Sequence, residues 1–112
     1  VYPIDIETCL MQSEQIEDVA VVGKPDEILG ESIVAFVIPK PGRKLTPGDM
    51  IRFCRGKIAN YKVPDEVLLV SQFPILLSGK IKKNILREWA THGAPMECQL
   101  LFNNLTVDEL LN

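Results

Sequence analysis

Seven residues, Ser32-Ile33-Val34-Ala35-Phe36-Val37-Ile38, constrain the fold more than any others in this chain. They are almost continuously apolar and rich in β-branched side chains. Successive side chains on a strand point to opposite faces, so a strand without polar alternates has to be covered on both sides. Pro39, Pro41 and Gly42 end the run. A sheet built around it needs a packing layer on each face. The chain has 112 residues, one domain's worth, and is 46% hydrophobic, which supports a packed core and excludes a disordered class.

The flanking patterns supply the layers. Residues 3–13 read as a helix, with Pro3 at its first position and Ile6, Cys9 and Leu10 on one face. Residues 17–23 read as a strand that Lys24-Pro25-Asp26 breaks. Thr46 reads as an N-cap, with Pro47 at the first helical position and Asp49 near the positive end of the helix dipole. Met50, Ile51, Cys54 and Ile58 then form an apolar stripe to about Ala59. Residues 66–71 read as a third strand, and Ile81, Ile85, Leu86 and Trp89 give a helix over 82–91.

The predicted fold class is α+β, a small mixed β-sheet with helices packed against it in one compact domain. Residues 1–91 are expected to form that domain. Residues 92–112 are expected to be an irregular tail, with a capping-box pattern at Thr106–Glu109 that starts a short helix.

Composition narrows the function classes. A formal net charge of −3 gives no general attraction to nucleic acid or anionic lipid, so no nucleic-acid partner is expected. No apolar run approaches the roughly 20 residues of a transmembrane segment. Cys9, Cys54 and Cys98 are scattered, and His92 is the lone histidine, so clustered zinc ligands are not expected. The cysteines read as small buried hydrophobes in a reducing compartment, taken as the cytoplasm. The chain opens at Val1 without a secretory signal or an initiator methionine, as an excised fragment would.

The chemistry-bearing stretch is Phe73-Pro74-Ile75-Leu76-Leu77-Ser78-Gly79-Lys80-Ile81-Lys82-Lys83. Lys80 follows a Ser-Gly turn after an apolar strand, so a cation is presented on a sharply bent loop. Such a loop suits an anionic ligand brought by another domain. The alternative is a solvated turn lysine beside Lys82, Lys83 and Arg87. The stretch is not a phosphate-binding P-loop, because the first glycine and the hydroxyl after the lysine are missing.

Upstream stand Val1-Tyr2-Pro3-Ile4-Asp5-Ile6-Glu7, then Val21-Val22-Gly23-Lys24-Pro25-Asp26-Glu27 with Leu29-Gly30-Glu31, then Ala59-Asn60-Tyr61-Lys62-Val63-Pro64. In this order the chain resembles the C-terminal domain of the adenylate-forming enzymes: acyl-CoA synthetases, luciferases and peptide-synthetase adenylation domains. The segment Phe53–Pro64 looks most like medium- or long-chain acyl-CoA synthetases.

The resemblance implies a mobile lid of an ATP-dependent, AMP-forming acid–CoA ligase. Such an enzyme joins a carboxylic acid substrate to Mg-ATP as an acyl-adenylate, then passes the acyl group to CoA. The partner it implies is the N-terminal domain of the same enzyme, without which the fragment is inactive. Lys80 is the catalytic lysine of that resemblance, and Ser78 and Gly79 form its phosphate loop. Leu29, Gly30 and Lys62 are the positions implied beside CoA; Val63 and Asp65 are not basic, so Lys62 alone remains of a basic CoA-phosphate turn. No metal ligand is implied within the chain. Two other readings stay open: an adenylation domain that loads a carrier-protein thiol, and a stand-alone binding module without chemistry.

Overall fold

The computed structural model describes residues 3–28, 30–42, 46–55, 57 and 64–99. The apolar run becomes the central strand of a three-stranded sheet. Strand β1 spans Ile16–Asp26, β2 Gly30–Pro39 and β3 Glu66–Leu69, in the order β1-β2-β3. β1 and β2 form an antiparallel hairpin, whereas β3 lies parallel to β2, with Val34 opposite Glu66 and Val37 opposite Leu69. A parallel neighbour cannot be reached by a tight turn. The crossover carries helix α2, Pro47–Arg55. Helices α1, Pro3–Leu10, and α3, Lys83–His92, complete the layers. The expected mixed sheet with packed helices is the architecture observed.

Strand alternation sorts the core into two clusters. Val19, Val21, Ile33, Ala35, Val37, Val67 and Leu69 face α1 and α2, meeting Ile6, Leu10, Met50 and Ile51. Ala20, Val22, Val34, Phe36, Leu68 and Val70 face the other way, toward Leu86 and Ala90 of α3. Phe36 meets Trp89 edge-to-face, with ring centroids 6.3 Å apart. β2 is thus covered on both sides, as its sequence requires. Each such fully buried side chain contributes on the order of 2 kcal/mol of transfer free energy.

Several boundaries differ from those expected, for physical reasons. α1 stops at Leu10, and the amides of Gln12 and Ser13 instead donate to the carbonyls of Cys9 and Leu10 in tighter turns that aim the chain into β1. β1 does not break at Lys24-Pro25-Asp26; Pro25 pairs with Glu31 and Asp26 with Gly30. β1 is an edge strand, where a residue without an N–H is tolerated. Lys24 instead reaches Glu66 of β3, Nζ to Oε1 3.5 Å. β3 ends at Leu69, α3 is shifted by one residue, and Lys57 lies in a turn after α2. Ile58 and Ala59 lie outside the described residues.

α2 starts as its sequence prescribes. The Asp49 amide donates to Thr46 Oγ1 at 3.1 Å, and the Thr46 amide donates to Asp49 Oδ2 at 3.2 Å, a reciprocal cap. Burial pushes the Asp49 carboxyl up, but hydrogen bonds from Thr46 and Arg52 outweigh it and hold the pKa below the ordinary value.

Cys9, Cys54 and Cys98 are all buried and unbridged. Burial raises the Cys54 thiol from 9.0 to about 12, helped by the adjacent Cys9 thiol. Residues 93–99 turn back onto the sheet. A single 3-10 turn at Met96–Cys98 buries Cys98, and Gln99 bridges antiparallel to Val70. The expected boundary between residues 91 and 92 therefore falls in the last turn of α3. Residues 100–112 lie outside the described residues.

Candidate functional site

The lysine-bearing stretch folds as a small hairpin ahead of α3. Ile75 and Ile81 pair antiparallel across it. The Leu76 amide donates to the Lys80 carbonyl at 2.8 Å, and the Gly79 amide donates to the Leu76 carbonyl at 2.8 Å. Leu77, Ser78 and Gly79 are thus the three loop residues. This loop length calls for a left-handed residue at its last position, and Gly79 supplies it with φ +90°. A Cβ built on Gly79 meets nothing within 4 Å, so the demand for glycine is conformational and not steric. A third bond, from the Lys82 amide to the Pro74 carbonyl at 2.8 Å, closes the base of the hairpin.

Lys80 stands immediately after Gly79 and is exposed. It borders an open groove of about 830 Å³, with Leu76, Gly79, Lys82, Lys83 and Arg87 among its lining residues. Four basic residues, with the Lys83 ammonium paired to Glu7, and one backbone turn therefore line one concavity. Its chemistry suits a polyanion, because ammonium and guanidinium groups gather around a wall with no acidic side chain. Among the described residues, no group of three or more His, Cys, Asp or Glu side chains could hold a metal ion.

The hairpin is apolar on the outside. Ile75 is 56% exposed, Leu76 46% and Leu77 fully so. The apolar strand expected ahead of the turn is β3, Glu66–Leu69; after Pro74, Ile75 makes one isolated bridge and the two leucines project from the surface.

The structure brings Ser78, Gly79 and Lys80 together on one loop. Gly30 lies on a separate element, the β1–β2 turn, with φ +78°. The Asp26 side chain steadies that turn by accepting the Ile28 amide at 2.9 Å. Leu29 and Lys62 fall outside the described residues.

Lys83 keeps contact with water but also has a partner. Its Nζ lies 2.9 Å from Glu7 Oε2 on α1. The same carboxylate oxygen accepts a 2.9 Å hydrogen bond from the Val21 amide of β1. Sequence reasoning missed this pair because no local pattern links a helix near the start of the chain to one near its end.

Residues 5–80 match a family model described as the AMP-binding enzyme C-terminal domain. Among curated relatives, a 3-[(3aS,4S,7aS)-7a-methyl-1,5-dioxo-octahydro-1H-inden-4-yl]propanoyl:CoA ligase of Rhodococcus jostii is 43% identical over 88 residues, covering 79% of this chain and 17% of that protein. An indoleacetate–CoA ligase of Aromatoleum aromaticum is 40% identical over 97 residues, covering 87% of this chain and 19% of that protein. Among solved structures, ATP-bound MatB from Rhodopseudomonas palustris superposes with a TM-score of 0.76 at 30% identity, over 83% of this chain and 18% of that one. The chain thus spans less than a fifth of the length of each.

Proposed function

The chain belongs to the family of AMP-binding enzyme C-terminal domains, and on that premise we propose that it is the mobile lid of an AMP-forming acid–CoA ligase. The observation that carries the reading is the Gly79 hairpin, which holds an exposed lysine over a cationic groove. In the proposed reaction a carboxylate oxygen attacks the α-phosphorus of ATP. The bond to the bridging oxygen breaks, and pyrophosphate leaves. Negative charge builds on the phosphoryl and attacking oxygens. The Lys80 ammonium, reaching both, stabilises that charge as it develops and fixes the line of approach. The thiol of CoA then attacks the acyl carbon, and AMP departs.

Ser78 and Gly79 are proposed to border the phosphates, since an open turn lets the ligand approach the backbone closely. Lys82 and Arg87 add a steering field. Mg accompanies ATP, with ligands proposed to come from the rest of the enzyme. Gly30, with Leu29 and Lys62, is proposed to face CoA in the second half-reaction. Ile75, Leu76 and Leu77 are proposed to rest against the N-terminal domain, which would cover their exposed area. The acid is proposed to be a medium- or long-chain carboxylic acid, on the pattern of Phe53–Pro64. Among the described residues, no helix is long and apolar enough to cross a membrane. Three buried, unbridged thiols suit a reducing compartment, proposed as the cytoplasm.

The test is acid-dependent exchange of labelled pyrophosphate into ATP by the full-length enzyme across an acid panel. The reading predicts exchange with at least one aliphatic acid and a thioester when CoA follows. Failure of every acid to support exchange would refute it.

A further inference from the structure

The Lys80 side chain makes no hydrogen bond or ion pair among the described residues, so the backbone that carries it sets the region its ammonium can reach. That backbone is fixed at the turn by Gly79 and at the base by the Lys82–Pro74 bond. One residue beyond the base, Lys83 opens α3 and is gripped by Glu7. Leu86 buries the next turn of α3 in the core, but no side chain of its own caps the helix start. Lys82 at the cap position makes no side-chain hydrogen bond, and the first turn contains no acidic residue. Glu7 reaches the first residue of α3 through the Lys83 side chain, and its bond to the Val21 amide locks that carboxylate to the sheet. The two side chains are 37% and 22% exposed. Ion pairs so open to water add little to stability, but they can still define a position.

We propose that Glu7 is a positioning residue for Lys80: acting through Lys83, it registers the Lys80 hairpin against α1 and β1. The inference rests on reading Lys80 as the adenylation lysine. Loss of the grip shifts the base of the hairpin without unfolding the domain. Displacement of a reacting group by about 1 Å costs up to roughly a hundredfold in rate.

The experiment is a double-mutant cycle in the full-length enzyme, with Glu7→Gln, Lys83→Gln, the pair together, and Lys83→Arg. Gln at position 7 keeps an acceptor for the Val21 amide, so the change is mainly in charge. Each single change is expected to slow pyrophosphate exchange by about tenfold to a hundredfold. The double variant should be no slower than the worse single one, and Lys83→Arg should retain most of the rate. Acyl transfer from preformed acyl-adenylate and the melting temperature should hardly move. Hydrogen exchange at the Leu76 and Gly79 amides should quicken in Glu7→Gln. Equal losses in both half-reactions, additive losses, or no loss at all would each overturn the inference. Lys80→Ala separates the two levels. If it spares adenylation, the functional reading itself fails; if it abolishes adenylation while Glu7→Gln has no effect, only the positioning role fails.

Discussion

Val34 and Leu77 are both aliphatic residues, and the molecule treats them oppositely. Val34 is fully buried in the middle of β2, while Leu77 is fully exposed at the tip of the Lys80 hairpin. Around Val34 every neighbour on the strand is buried, on one face or the other. Around Leu77, three backbone hydrogen bonds and one left-handed glycine hold the shape without a core beneath it. The sheet is stabilised by what it removes from water. The hairpin is held by backbone geometry and leaves apolar surface exposed that only another surface can cover. A domain can afford such an element when its rigid scaffold is stable by itself.

The contrast is broken most severely at its buried end. Val34→Asp places an unpaired carboxylate among apolar side chains, at a cost of several kcal/mol against a total stability of about 5–15 kcal/mol. Loss of the cooperative thermal transition is expected; melting at the wild-type temperature would remove Val34 from the core. Leu77→Asp, by contrast, should leave the melting temperature in place.

A second prediction uses the buried thiols. Cys54 titrates at about 12 when folded against 9.0 ordinarily. The folded state therefore keeps a proton that the unfolded state releases. That contribution is complete below pH 9 and is lost as pH rises toward 12. Denaturant midpoints should fall across this window, and the fall should be shallower in Cys54→Ala. Parallel curves for the two proteins would contradict the assignment.

Smaller still is the effect of Gly79→Ala. There is room for the methyl group, so the cost is backbone strain alone, about 1–2 kcal/mol. The melting temperature should drop by a few degrees, while adenylation falls disproportionately because the lysine loses its aim. An unchanged adenylation rate would mean that the turn conformation is irrelevant to the chemistry.

The same two regions differ in how far sequence disclosed them. The core was legible because burial leaves a periodic trace: unbroken in β2, helical in Met50, Ile51 and Cys54, and capped at Thr46 and Asp49. The Ser78-Gly79-Lys80 turn was legible because its glycine is a local demand. Pro25 misled because the rule that proline breaks strands applies to central strands, and only tertiary structure makes β1 an edge. The return of residues 93–99 along the sheet left no periodicity to read. The Glu7–Lys83 pair is a long-range contact between two ordinary surface-type residues, and nothing local announces it. The exposure of Leu76 and Leu77 left no trace in the sequence, because local hydrophobicity does not reveal whether the covering surface lies inside the domain or outside it.

The central claim is that the hairpin lysine serves one half-reaction and not the other. It is tested most directly by Lys80→Ala in the full-length enzyme, with both half-reactions timed on the same preparation. Removing one preorganised charge should slow acyl-adenylate formation by roughly 10²–10³-fold. Thioester formation from preformed acyl-adenylate and CoA should stay close to wild type, because none of the residues proposed for that step belongs to this hairpin. Equal losses in both steps, or an undiminished adenylation rate, would contradict the account.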